Sequence, residues 1–253
     1  MSDTREEKAS VEKSTIGEAL AFLRTRVFDL YVLVMSLGVG LSILVYYRWT
    51  KRPREVRGLL RFWSRNFIYG AWVLLGVRYR LVGLNNIPDQ PVIFAGNHQS
   101  YFESIAMTVF FPHINVITKR ASMKIPVFGW GLEHAPMIPV DRDAPGQNIR
   151  RLLREGCTSV KNGRSILIFP EGGRVPVFGR RPFQRGVERL YAHAKVPVVP
   201  FVTNAGRLWP SGFGTKRPGT ITMHFLPPIP PGIEPDRFAT MLEDKLNTEK
   251  DRL

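Results

Sequence analysis

Hydrophobic positions along this chain change their period twice, and each change marks a different kind of structure. Residues 27–47 are apolar almost throughout, with Asp29 the one charged position, and residues 30–47 form an uncharged run of 18. As a helix that run is about 27 Å long, against a bilayer hydrocarbon thickness of roughly 30 Å. Spanning or deep insertion is therefore expected ahead of the alternative, a buried core helix. Residues 56–77 follow a helical period instead. Arg54, Arg57, Arg61 and Arg65 fall on one stripe, and Leu59, Leu60, Trp63, Phe67, Leu74 and Leu75 help to cover the rest. Such a helix suits a lipid surface; the plainer reading is a core helix with a solvated arginine face.

From residue 78 onward, short runs rich in Val and Ile alternate with helical patterns. Strands are expected near 78–82, 92–96, 114–118, 137–140, 165–169, 197–202 and 220–226, and helices near 102–111, 148–161, 185–195 and 235–250. This alternation predicts an α/β fold, a mixed central sheet flanked by helices, with ligands bound at loops on the strand ends. The chain divides into a polar N-terminal segment (1–26), a two-helix membrane-associated motif (27–77) and an α/β domain (78–253). Residues 227–232 read as a stiff linker to a last polar helix.

Composition narrows the partners. The 253 residues, 44% hydrophobic, suffice for one sizeable core. The net charge of +15 is uneven: nine Lys or Arg lie between Arg48 and Arg80, with Glu55 the only acid among them. A basic zone directly after an apolar one favours a membrane surface, where each cation near anionic lipid contributes about 1 kcal/mol. Nucleic acid is not expected as a partner, since no recognised nucleic-acid motif is present. Basic residues flank residues 30–47 on both sides, so charge does not set an orientation, and a hairpin or tilted half-insertion stays open. The mixed-charge start and the sequence Tyr46-Tyr47-Arg48-Trp49 do not read as a secretory leader. The α/β domain is thus expected on the cytoplasmic side of the cell's inner membrane. Cys157 is the only cysteine, which excludes an intramolecular disulfide. The five histidines show no metal-ligand spacing, so no metal site is expected.

Two loops carry candidate chemistry. The strand near 92–96 runs into Asn97-His98-Gln99-Ser100-Tyr101-Phe102-Glu103. Glu103, at the start of the next helix, can curl back to one ring nitrogen of His98, fix its tautomer and leave the other nitrogen to accept a proton. The bland alternative is a loop histidine beside an unrelated acid. The strand near 165–169 runs into Pro170-Glu171-Gly172-Gly173-Arg174, and together the two loops suggest one active site.

Residues 97–103 resemble the first signature block of the glycerolipid acyltransferases, in which His is followed after four residues by Asp; here Glu103 stands in that place. Phe169 to Arg174 resembles the family's Phe-Pro-Glu-Gly-Thr-Arg block, with Gly173 in place of Thr. Residues 136–142 and 196–201 resemble its other two blocks, in the family order. The surrounding sequence, including Lys119-Arg120 and Trp209-Pro210, is similar to bacterial 1-acylglycerol-3-phosphate acyltransferases, which also carry an N-terminal two-helix membrane motif.

The resemblance implies that His98, oriented by Glu103, is the base, and that Lys119, Arg142 and Arg174 bind a substrate phosphate. Forked guanidiniums suit that task. Glu171 bonds an acceptor hydroxyl or holds the loop arginine, and these remain alternatives. The N–H groups of Gly172 and Gly173 face an oxyanion, or form a plain turn. The implied reaction passes an acyl group from acyl-CoA or acyl-carrier protein to lysophosphatidic acid at the bilayer, giving phosphatidic acid, with no cofactor and no metal. The rivals are a sister enzyme acting on glycerol-3-phosphate or another lysolipid, and a catalytically silent membrane adaptor.

Overall fold

Ile93, Phe94 and Ala95 are all buried, so this strand is covered on both faces and belongs in the middle of a sheet. The computed structural model describes residues 3–50, 53–120, 137–140, 145–212 and 214–253. Its helices are α1 (Asp3–Thr50), α2 (Pro53–Leu75), α3 (Phe102–Phe110), α4 (Pro145–Lys161), α5 (Gly186–Ala194), α6 (Ala205–Leu208) and α7 (Pro235–Arg252). Its strands are β1 (Val77–Val82), β2 (Ile93–Gly96), β3 (Ile114–Lys119), β4 (Met137–Val140), β5 (Ser165–Ile168), β6 (Val198–Thr203) and β7 (Gly219–Phe225). The expected strands lie within about one residue of these. They form one sheet in the order β1-β7-β6-β2-β5-β3-β4. Neighbours run parallel except β6 and β7, so the sheet is mixed as expected.

Alternate side chains feed two separate cores, because successive residues of a strand point to opposite faces. Val92 and Phe94 join α1, α2 and α3 on one face, among them Phe28, Phe67, Phe102 and Met107. Ile93 and Ala95 join α4, α5 and α7 on the other, through Leu152, Leu190 and Leu242. The result is a three-layer α/β/α arrangement.

The first helix does more than the apolar run required. It continues from Asp3 through the polar segment, and Ile16–Tyr46 is long and apolar enough to cross a bilayer by length and composition. Phe28 packs edge-on against Phe67 (5.4 Å) and Trp209 (5.3 Å), which binds α1 to both α2 and the loop after β6. Asp29, the lone charge of the apolar stretch, accepts from Lys216 Nζ at 2.8 Å. Thr25 Oγ1 accepts from the Lys216 N–H at 2.9 Å. The opposite side of α1 leaves Leu30, Leu33, Val34, Leu37, Leu41 and Leu44 exposed.

The segment read as a linker is folded down instead. Ile229 exchanges both backbone hydrogen bonds with Val198, at 3.0 and 2.8 Å. Within Pro227-Pro228-Ile229-Pro230-Pro231 it is the one residue that still has an N–H to give.

Candidate active site

Strands β2 and β5 are parallel neighbours, yet the helices that follow them leave to opposite faces, α3 into one core and α5 into the other. A crevice opens at the carboxyl ends of two strands that part in this way, and ligands of open α/β sheets bind there. The two loops singled out in the sequence are the two sides of this crevice.

His98 leaves β2 with its backbone gripped twice. Its N–H donates to Glu171 Oε2 at 2.8 Å and its carbonyl accepts from Val175 N–H at 2.7 Å. On one side, Asn97 Nδ2 donates to the Thr203 carbonyl (3.0 Å) and Asn97 Oδ1 accepts from Thr203 N–H (2.8 Å), tying the loop to β6. On the other, Gln99 Oε1 accepts from Gly206 N–H at 2.9 Å. The ring stacks on Phe169 at 4.1 Å and 18°. Phe169 in turn packs edge-on to Phe201. Gly96 makes this closeness possible, since a Cβ there would sit 2.3 Å from the Phe201 ring.

The dyad forms as expected: His98 Nδ1 bonds Glu103 Oε1 at 2.9 Å. The same oxygen accepts the N–H groups of Gln99 (2.6 Å) and Ser100 (2.7 Å), and Oε2 accepts the Ser100 hydroxyl at 2.8 Å. Glu103 has no solvent exposure, whereas His98 keeps 17%. Four donors thus converge on one buried carboxylate. It holds the proton on Nδ1 and turns Nε2 toward the crevice as an acceptor. The longer side chain of Glu therefore reaches His98 without distortion of the pair.

The second loop is held by contacts of its own. Gly172, at φ +68°, turns its N–H onto the Phe169 carbonyl at 2.9 Å and closes a turn, the second of the two readings open for it. Glu171 Oε2 accepts the backbone N–H of His98, a contact the sequence reading did not assign it. Burial pushes its carboxyl above the usual carboxylate range, and the His98 N–H bond, Lys250 and His98 only partly offset this. Folding thus favours the protonated acid. The gain is complete below the ordinary pKa near 4.3 and is lost as pH rises through the raised value. Glu171→Gln keeps an acceptor and removes the titration. Its melting temperature, relative to wild type, is expected to climb between about pH 5 and about pH 8; a gap that stays constant across this range counts against a titrating Glu171.

Arg174 lies with its guanidinium carbon 4.0 Å from the Tyr101 ring centre, a cation–π contact that holds the fork flat. Its Nη1 is shielded from solvent and has no hydrogen-bond acceptor among the described residues. Lys119 is exposed at the carboxyl end of β3. It is two strand spacings from β2, roughly 10 Å in the sheet plane, so the structure puts it on the same edge but not against the dyad. Arg142 lies outside the described residues; β4 ends at Val140, whose register partner is Lys119. Asn97, Ser100, Tyr101 and Phe169 had been seen only as parts of blocks, and sequence reasoning assigned them no task. Among the described residues no group of three or more His, Cys, Asp or Glu is placed to hold a metal ion.

Residues 78–204, which hold the dyad and both loops, match the family model described as Acyltransferase, and the chain belongs to that family. Over 165 residues it is 38% identical to the 1-acyl-sn-glycerol-3-phosphate acyltransferase of Pseudomonas aeruginosa, covering 65% of this chain and 64% of that one. It is 30% identical over 171 residues to the enzyme of the same name from Saccharomyces cerevisiae, covering 66% of this chain and 56% of that one. The chain thus spans less than two thirds of the length of these relatives. The crystal structure of the 1-acyl-sn-glycerophosphate (LPA) acyltransferase from Thermotoga maritima superposes with a TM-score of 0.73 at 22% identity, over 92% of this chain and 97% of that one, and shares the fold.

Proposed function

We propose that the protein transfers an acyl group from acyl-CoA or acyl-carrier protein to the free hydroxyl of 1-acylglycerol-3-phosphate, making phosphatidic acid at the cytoplasmic face of the inner membrane. The observation that carries this reading is the His98–Glu103 pair at 2.9 Å, backed by a carboxylate with no exposure and open toward the crevice. The names of the relatives supply the acceptor.

In this reaction the acceptor oxygen attacks the thioester carbonyl carbon while its proton passes to His98 Nε2. The imidazolium that forms is stabilised by Glu103. Collapse of the tetrahedral intermediate breaks the C–S bond, and the sulfur leaves as a thiol after taking the proton back from His98. No acyl-enzyme is needed. Gly173 is the remaining glycine of the loop for oxyanion contact. Arg174, whose Nη1 has no acceptor among the described residues, meets the acceptor phosphate together with Lys119 and Arg142. The exposed leucine and valine side of α1 faces lipid, which brings a site for two lipids to the bilayer.

The test is transfer from a radiolabelled acyl thioester by the purified full chain in lipid micelles, offered lysophosphatidic acid, glycerol-3-phosphate and a lysolipid without a phosphomonoester. Phosphatidic acid is the expected product. Arg174→Ala is expected to raise KM for lysophosphatidic acid by about 10- to 100-fold, the worth of roughly 1.5–3 kcal/mol in charged hydrogen bonds. Preference for another lysolipid would replace the acceptor; no transfer to any acceptor would reject the enzyme reading.

A further inference from the structure

Helix α7 buries Phe238, Leu242 and Leu246 at four-residue spacing, and the next position on that stripe is Lys250. A fourth hydrophobe would suit the core face; a lysine only 7% exposed does not, because a buried ammonium is costly without a partner. Lys250 Nζ donates to the Gly179 carbonyl at 2.7 Å. Gly179 N–H donates to the Pro176 carbonyl at 2.9 Å, closing a tight turn next to Val175, whose own N–H holds the His98 carbonyl. One turn of chain therefore separates the Lys250 contact from the backbone of the base. The adjacent Arg180–Asp251 ion pair joins the same two segments, but both side chains are more than half exposed and such pairs contribute little. Lys250 lies beyond the residues that match the family model.

We propose that Lys250 is a positioning residue for acyl transfer: its ammonium, held on the Gly179 carbonyl, fixes the 171–179 loop in register with His98. The inference rests on the acyl-transfer reading above. The charged and titratable groups acting on the Glu171 carboxyl are Lys250, His98 and Glu103; Lys250 and His98 draw its pKa down and Glu103 pushes it up. Removing the ammonium leaves burial less opposed, so the Glu171 carboxyl goes higher still.

The experiment compares Lys250→Met and Lys250→Arg, each alone and with Glu171→Gln, in the full chain in lipid micelles. Lys250→Met is expected to lower kcat by about 10- to 100-fold through misplacement of the base, with KM for lysophosphatidic acid within about threefold of wild type. Lys250→Arg is expected to restore most of the rate. The melting-temperature gap between wild type and Lys250→Met is expected to widen as pH rises from about 5 to about 8, and to lose that dependence in the Glu171→Gln background. An unchanged kcat overturns the proposal, and so does a gap that ignores both pH and Glu171→Gln, which would mark plain packing. If wild type acylates no lysolipid, the acyl-transfer reading fails, while the pH dependence of the gap still decides whether Lys250 serves Glu171.

Discussion

His98→Ala is expected to lower kcat for acyl transfer by about 10²- to 10⁴-fold, the contribution of a positioned general base, while leaving the fold and the acceptor KM nearly unchanged. The backbone bonds that seat residue 98, from its N–H to Glu171 and from its carbonyl to Val175, survive in alanine. The lost ring contact is a single stack on Phe169. The phosphate contacts proposed for Arg174 do not pass through residue 98. Steady-state kinetics with lysophosphatidic acid varied at saturating thioester would separate the two parameters. A residual rate within about tenfold of wild type would remove His98 from the role of base, since that is below what such a group supplies.

Glu103→Ala is expected to damage both stability and rate, and Glu103→Gln to separate them. Alanine leaves the buried N–H groups of Gln99 and Ser100 without their acceptor. Each orphaned donor costs roughly 1–3 kcal/mol, so the loss of about 2–6 kcal/mol is a large share of the 5–15 kcal/mol that holds a typical domain together. Glutamine keeps an oxygen for the three N–H donors and is expected to melt close to wild type. Its amide carries no charge to stabilise the imidazolium, and a fall in kcat of about 10- to 100-fold is expected from roughly 1.5–3 kcal/mol. Thermal unfolding and initial rates on both variants check this. If Glu103→Gln matches wild type in rate, the charge is idle and the residue is only a loop clasp.

The strands were legible because a strand covered on two faces must be apolar at every position, as at Ile166, Leu167 and Ile168, and few other elements look that way. The dyad was legible because its two members are close in sequence. Long-range partnerships were not. Nothing near Asp29 announces Lys216, and nothing in α7 announces that Lys250 faces Gly179, because both contacts depend on how distant segments stack. The length of α1 was missed because polar residues 3–15 carry no period that a core would impose, although Glu, Lys and Ala favour helix there. The role of Gly172 stayed open between two readings because a glycine shows that a special φ is allowed, not which acceptor its N–H will find.

The attachment of α1 changes what it means to call that helix an anchor. An anchor can be cut away without disturbing what it carries, but a chain shortened past residue 43 would lose Phe28 from between Phe67 and Trp209 and deprive Lys216 of its acid. Trp209 also touches Phe102, the residue beside Glu103. Removing the apolar helix and keeping the loop of His98 and Glu103 intact are thus opposed in this molecule. A detergent-free form is better sought by recolouring the exposed leucines of α1 with polar side chains than by deleting the helix that carries them.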